Sequence, residues 1–218
     1  LSALVALCAI PEPSACFPGF DLARMLCLHS NAAVSLANEP NVLTSLVARA
    51  LTLLRTGSAC PNPTALTSLR FLCNLFKQPA LIMGLKHGVT GAPEGLLESA
   101  SAQSSSGHKL VRAAVATLCA NVAVASCAGT LDVSYLLALP PLVYVLLKKE
   151  EESADVVMRG ALALGTGALH PTEASRNEFK ASAAACNALE VLEELRVKWQ
   201  LKLGEKLAVF DNCIHSLK

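Results

Sequence analysis

The sequence predicts an all-α fold made of stacked helical repeats. Three observations support this: the composition, the lack of alternating apolar and polar residues, and a spacing that recurs along the chain. Of the 218 residues, 53% are hydrophobic but only 4% are aromatic, and alanine and leucine dominate. Small and γ-branched side chains favour helix over strand. No long segment shows clean period-two alternation, so a sheet is not expected.

Clusters of proline, glycine and serine divide the first half of the chain into helical segments. Residues 9–20 and 57–63 are rich in proline and glycine, as is typical of turns. Asn62-Pro63 predicts an N-cap followed by proline at the first helical position. The polar Ser/Gly cluster at 98–108 separates two further helices.

The second half begins with an apolar stretch, residues 113–131, which holds no charge over nineteen residues. It is about long enough to span a bilayer, but its Ala and Ser content and Asn121 favour a helix buried within a folded domain. The charge run at 148–153 predicts a solvated turn. Residues 169–178 predict another turn with Thr172 as N-cap, and residues 173–209 predict one or two long helices.

A repeat of 46 residues is the strongest fold signal. Leu-Cys occurs at 26–27, 72–73 and 118–119, and adding the same spacing again gives Leu-Gly at 164–165. A period of 46 lies within the range of roughly 40–47 residues of armadillo and HEAT repeats. In such stacks neighbouring repeats share one continuous core, and one helix of each repeat lines the concave side.

The stretch ALTSLRFLCNLF, residues 65–76, carries Arg70 and Asn74 on an otherwise apolar helix. Four residues apart, they share one helix face, and Arg24 precedes the first Leu-Cys pair as Arg70 precedes the second. We expect this face to line a solvated groove, with Asn121 contributing one repeat later. Asn side chains can pair with the main chain of an extended peptide, and arginine can bind a carboxylate bidentately.

A purely structural role is the alternative for each of these polar residues. A helical Arg or Asn can cap the C-terminus of a neighbouring helix by donating to its unpaired carbonyls.

The charge balance argues against a general nucleic-acid binder. The net charge is +1, although residues 1–92 hold six Lys/Arg against three Asp/Glu and residues 93–218 hold twelve against fourteen. The first half is therefore mildly basic. Neither a nucleic-acid nor a membrane partner is expected.

The nine cysteines are expected to be free thiols in a reducing compartment, the cytoplasm or the nucleus. Cys27, Cys73, Cys119 and Cys186 lie in apolar helical runs, and there is no CxxC motif or Cys/His cluster with zinc spacing. The five histidines are widely scattered. We therefore expect no metal and no other cofactor.

Four motifs in order resemble the PUL domain of the phospholipase A-two-activating protein (PLAA) family. They are FPGFDLARMLCLHSNAA at 17–33, NPTALTSLRFLCNLF at 62–76, HKLVRAAVATLCANVAV at 108–124 and VVMRGALALGTGAL at 156–169. The resemblance covers residues 17–169, about seventy per cent of the chain.

The resemblance implies an armadillo/HEAT-like right-handed solenoid of about five to six helical repeats. It also implies a basic concave groove that binds the C-terminal tail of the AAA ATPase valosin-containing protein, in the ubiquitin–proteasome pathway. Ubiquitin-pathway components would be contacted through other domains of the full-length protein. The peptide-binding residues that it implies are Arg70, Asn74, Arg159, Asn121, Thr166, Lys77, Arg24 and Arg112.

We expect residues 1–218 to form a single PUL domain from the C-terminal part of a longer protein. Residues 1–16 are expected to be an N-terminal extension to it.

Two other functions remain open. An enzyme would need a cysteine nucleophile, Cys119 or Cys73, with a histidine and a cleft nearby, and burial in apolar helices argues against this. The other open function is that of a scaffold or oligomerisation domain attached to a thioredoxin-like or PPPDE peptidase module. It is suggested by the high Ala content and by Trp199 in the amphipathic stretch 191–210, whose apolar side is better explained as a cap on the repeat stack.

Overall fold

Helices dominate the structure, a computed structural model. It describes residues 1–88, 92–148 and 150–218, with side chains except at 84–88 and 92–94. Helices make up 81% of the structure, and no strand occurs among those residues. The prediction of an all-α fold is confirmed.

The chain forms two compact units, of which Leu1–Val115 is the first. Short 3₁₀ helices at Pro13–Ala15 and Gly57–Ala59 join some of its α-helices. Its α-helices are α1 Ser2–Cys8, α2 Phe17–Leu26, α3 Ser30–Ala37, α4 Pro40–Arg55, α5 Asn62–Leu75, α6 Pro79–Gly88, α7 Ala92–Gln103 and the first part of α8 Lys109–Cys127.

The second unit is Ala116–Lys218 and begins within α8. A 3₁₀ helix at Gly204–Lys206 precedes the last helix. The α-helices that follow α8 are α9 Val133–Leu137, α10 Leu139–Lys148, α11 Ala154–Gly167, α12 Glu173–Ala185, α13 Ala188–Leu203 and α14 Leu207–Leu217.

Within each unit, a helix packs against the helix three places further along the chain. In the first unit α2 packs on α5 and α4 on α7, and in the second α10 packs on α13 and α11 on α14. The repeated dipeptides at 72–73, 118–119 and 164–165 lie in α5, α8 and α11, and the pair at 26–27 closes α2. The 46-residue spacing therefore corresponds to three helices, as in armadillo repeats.

Side-chain hydrogen bonds to helix ends reinforce this repeat. The Asn74 amide donates to the carbonyl of Arg24, fifty residues earlier, in the last turn of α2. Gln103 donates to Leu54 at the end of α4, and Ser182 donates to Leu137 at the end of α9, at separations of 49 and 45 residues. The last carbonyls of a helix have no partner within it. Each repeat thus caps helices of the preceding one.

Small residues allow helices of the second unit to approach closely. A Cβ atom on Gly165 would lie 2.8 Å from Cβ of Cys213 on α14, and one on Gly160 would lie 2.8 Å from Cδ2 of Leu147 on α10. These separations are shorter than ordinary van der Waals contact. The packing at these two positions therefore leaves room for little more than a hydrogen atom.

Two sequence predictions about turns need correction. Helix α5 begins at Asn62 itself, with Pro61 as the extended residue before it, so the predicted cap was wrong by one position. The turn at 148–153 is not simply solvated, because Glu150 is 1% exposed. Its Oε1 accepts hydrogen bonds from the main-chain N–H groups of Glu152 and Ser153, both at 2.9 Å. A buried carboxylate therefore organises this turn.

Residues 173–209 form two long α-helices, α12 and α13, as predicted, and the range ends in the first turn of α14. Asn187, at φ 57°, precedes α13, and Gly204, at φ 51°, follows it. Left-handed backbone cannot continue a right-handed helix. Thr172 occupies the predicted N-cap position of α12, although its side chain makes no capping bond.

All nine cysteines are free thiols. Burial raises the pKa of Cys27 to about 12 and that of Cys213 to about 11. Helix α8 is the one described helix that is long and apolar enough to span a membrane, and 56% of its most apolar window is buried in the fold.

Candidate peptide-binding surface

The eight predicted site residues lie on or beside four helices related by the repeat, α2, α5, α8 and α11. The first unit holds five of them, namely Arg24, Arg70, Asn74, Lys77 and Arg112. The second unit holds Asn121, Arg159 and Thr166.

Arg70 lies on the solvent-facing strip of α5. Its neighbours Leu69 and Phe71 are fully buried, whereas Arg70 is exposed. Among the residues that the structure describes, the Arg70 guanidinium has no hydrogen-bond or ion-pair partner. All its N–H donors therefore remain available to a ligand.

Asn74 lies one turn beyond Arg70 on the same face and is half-buried. Its Nδ2 donates to the Arg24 carbonyl at 2.9 Å. This is the capping role that was the alternative for such residues. The carboxamide Oδ1 is the group that Asn74 can still offer to a peptide N–H.

Arg24 is engaged within its own helix. Its Nε donates to Asp21 Oδ1 at 2.6 Å, and both side chains are partly exposed. The ion pair neutralises the carboxylate closest to Arg24. Arg24 therefore contributes little uncompensated positive charge to the surface.

Lys77 follows the end of α5 and is exposed. Its side chain contacts no carboxylate in the described part of the chain. Arg112, near the start of α8, is half-buried and donates from Nη1 to the Ser106 carbonyl at 2.7 Å. Lys77 is thus a second available cation, whereas Arg112 fixes the loop before its own helix.

In the second unit, Arg159 on α11 donates to the hydroxyl of Thr117 on α8. Thr166, about two turns further along α11, accepts through its carbonyl from the Cys127 thiol at 3.3 Å. Asn121 is half-buried on α8, one turn after Thr117, and has a bonding partner of its own. The structure thus brings Arg159, Thr166 and the α8 residues onto adjoining helices.

Sequence reasoning missed an apolar strip on α2. Phe17, Met25 and Leu28 are 43%, 41% and 45% exposed. These residues belong to the motif at 17–33, and their spacing in the sequence indicates that they lie on one side of the chain there. Together with the α5 strip, they define what we call the α2/α5 surface: Phe17, Met25, Leu28, Arg70, Asn74 and Lys77.

Two concave clefts lie elsewhere. One, of about 510 Å³ in the first unit, is polar and includes Asn62, Ser105 and His108. The other, of about 280 Å³ in the second unit, includes Tyr144 and Glu194. Neither contains any of the eight predicted residues. Both clefts are therefore separate from the residues of the α2/α5 surface.

The described residues include no group of three or more His, Cys, Asp or Glu side chains that could hold a metal ion. His87 lies outside the residues whose side chains are described.

An all-α repeat domain with exposed cations on a repeated helix face belongs to the class of protein-interaction domains. The PUL domain model matches residues 1–209 of the 218, so the chain belongs to the PUL domain family. This is a family of protein-interaction domains. A search of curated proteins found no match.

Proposed function

We propose that this PUL domain binds an extended acidic peptide, and that the peptide is the C-terminal tail of the AAA ATPase valosin-containing protein. The observation that carries the proposal is the exposed Arg70 guanidinium, which has no partner among the described residues. The adaptor would act in the ubiquitin–proteasome pathway, in the cytoplasm and nucleus, and other domains of the full-length protein would contact further pathway components.

The chemistry of the first unit suits such a ligand. Arg70 can donate two parallel N–H···O bonds to a carboxylate, and Lys77 can act as a compact positive charge. Asn74 is held in place by its bond to Arg24, with Oδ1 left to accept a peptide N–H. The hydrogen bond to Arg24 therefore fixes the orientation of the Asn74 side chain, which would bind the peptide main chain.

In the second unit, Arg159 is the proposed carboxylate-binding residue. Its hydrogen bond to Thr117 reduces the number of side-chain conformations that binding would have to restrict. Asn121 and Thr166 would be its polar neighbours, whereas Arg24 and Arg112 would support the local structure.

The test is binding of a fluorescent tail peptide, measured by anisotropy, against a scrambled peptide of the same composition. We expect saturable binding of the native tail that weakens as salt is raised, because exposed charge pairs are screened. Equal binding of the scrambled peptide would contradict the assignment of this tail.

Self-association is a second candidate. Val197 and Leu201 on α13 are 73% and 96% exposed, an unusual degree for large apolar side chains. Light scattering at several concentrations decides this, since a dimer would double the measured mass and a monomer would not.

No catalytic role is proposed. Cys73 is 6% exposed and its thiol donates to the Ala114 carbonyl, and Cys119 is fully buried. A nucleophile needs both access and a lowered pKa.

A further inference from the structure

The α2 face beside Arg70 is apolar where a solvent-facing helix is ordinarily polar. Successive residues of a helix are about 100° apart, so Phe17 and Met25 lie on one side of α2, and Leu28 lies in the turn directly after it. All three exceed 40% exposure. The buried side of the helix is formed by Phe20, Ala23 and the following Cys27.

Two contacts fix how α2 and α5 are aligned. The rings of Phe20 and Phe71 lie 6.0 Å apart, and Asn74 bonds to the Arg24 carbonyl. Both pairs advance in the same chain direction, so the helices run parallel. Arg70 therefore lies level with the first turn of α2, which begins at Phe17.

The same alignment places Lys77 level with the end of α2, near Leu28. Packed helices lie about 8–10 Å apart. The cations of α5 and the apolar side chains of α2 thus form two adjacent rows.

The charge on this surface is uncompensated and positive. Asp21, the carboxylate on the exposed side of α2, is paired with Arg24 at 2.6 Å. Arg70 and Lys77 have no such partner in the described part of the chain. An acidic ligand therefore complements the α5 row, and apolar side chains complement the α2 row.

The spacing of the cations sets the spacing of the carboxylates that they can bind together. Arg70 and Lys77 are seven residues apart, which at a rise of 1.5 Å per residue is about 10 Å. A peptide in the extended polyproline II conformation advances about 3.1 Å per residue with three residues per turn, so side chains three residues apart lie on the same face. Carboxylates three residues apart therefore match the two cations.

Resting on the proposed peptide binding, we propose that α2 supplies an apolar subsite beside the two cation sites of α5. The ligand of the α2/α5 surface is an extended peptide with two carboxylates three residues apart and an apolar side chain within about three residues of them. The cations provide charge recognition, and Phe17, Met25 and Leu28 select the apolar residue.

The test uses eight-residue synthetic peptides that contain two Asp residues at i and i+3 and one Leu. Three comparison peptides replace Leu by Ser, place the two Asp residues side by side, or replace both by Asn. On the protein, Met25→Ser and Leu28→Ser are compared with Val209→Ser, a control on α14 whose parent side chain is 44% exposed. Circular dichroism checks the helix content of each variant.

We expect the α2 variants to weaken binding of the Leu peptide about five- to tenfold, as expected for partial loss of an apolar contact. Their affinity for the Ser peptide should match that of the parent protein, and Val209→Ser should change the affinity for neither peptide. The adjacent-Asp peptide should bind more weakly than the i, i+3 peptide.

If Arg70→Ala weakens binding but neither α2 variant does, the apolar subsite is wrong and the proposed peptide binding stands. If the parent protein binds the Asp and Asn peptides equally, charge recognition fails and both proposals fall.

Discussion

The side-chain amide of Asn74 donates a 2.9 Å hydrogen bond to the main-chain carbonyl of Arg24, fifty residues earlier in the chain. Asn74 thus joins two successive repeats, and it lies one turn from Arg70 on the same face of α5. Asn74 therefore links the stability of the fold to the proposed peptide recognition, and the two can be measured separately in variants.

Asn74→Ala should lower the free energy of unfolding by about 1 kcal/mol, because the carbonyl at the end of α2 loses its partner. Urea denaturation followed by circular dichroism measures the change. Lys77→Ala, three residues away and exposed, should leave the midpoint unchanged. Equal stability of the two variants would show that the cap contributes nothing.

Gly165→Ala should destabilise the protein by about 1–3 kcal/mol, since its added methyl group would lie 2.8 Å from the Cys213 side chain. Gly107→Ala is the matched control, because nothing lies within 4 Å of the Cβ that it would carry. Thermal unfolding compares the two variants. A Gly165→Ala protein as stable as Gly107→Ala would mean that α11 and α14 are not closely packed.

Cys27 should react slowly with iodoacetamide in the folded protein at neutral pH. Burial raises its pKa to about 12, so only a minute fraction is the reactive thiolate, and the side chain is fully covered. The half-buried Cys127 and Cys186 should be labelled first, as peptide mass spectrometry would show. Rapid labelling of Cys27 without denaturant would contradict the fold around α2.

Asp211 should make a small contribution to stability that disappears in acid. Its hydrogen bond from Arg196 lowers the carboxyl pKa below the ordinary value of 3.8. A lowered folded-state pKa stabilises the protein above the unfolded pKa, and this effect is lost as the pH falls through the folded value. Asp211→Asn should therefore be less stable than the parent near pH 6 and approach it near pH 2.

Much of the fold could be predicted from sequence because its signals are local and repeated. The 46-residue spacing marked the equivalent positions of α2, α5, α8 and α11, and Pro/Gly clusters marked many of the breaks. The boundaries around α13 were missed because they depend on left-handed backbone at Asn187 and Gly204. The burial of Glu150 was not predicted because it depends on the hydrogen bonds that its carboxylate accepts from the main-chain N–H groups of Glu152 and Ser153.

The candidate site was only partly predictable for the same reason. Placement of Arg70 on an exposed face followed from helix periodicity. The bonds of Asn74 to Arg24 and of Arg159 to Thr117 join residues 50 and 42 positions apart, which no local pattern specifies. The apolar strip on α2 could have been found from its spacing.

The affinity of Arg70→Ala for the tail peptide tests the central claim most directly. The control is Arg55→Ala in the same unit, whose guanidinium is already paired with Glu98 at 3.2 Å. With helix content retained in both, we expect Arg70→Ala to lose about 2 kcal/mol of binding free energy, roughly thirty-fold in affinity, and Arg55→Ala to lose nothing. Parental affinity in the Arg70→Ala protein would contradict it.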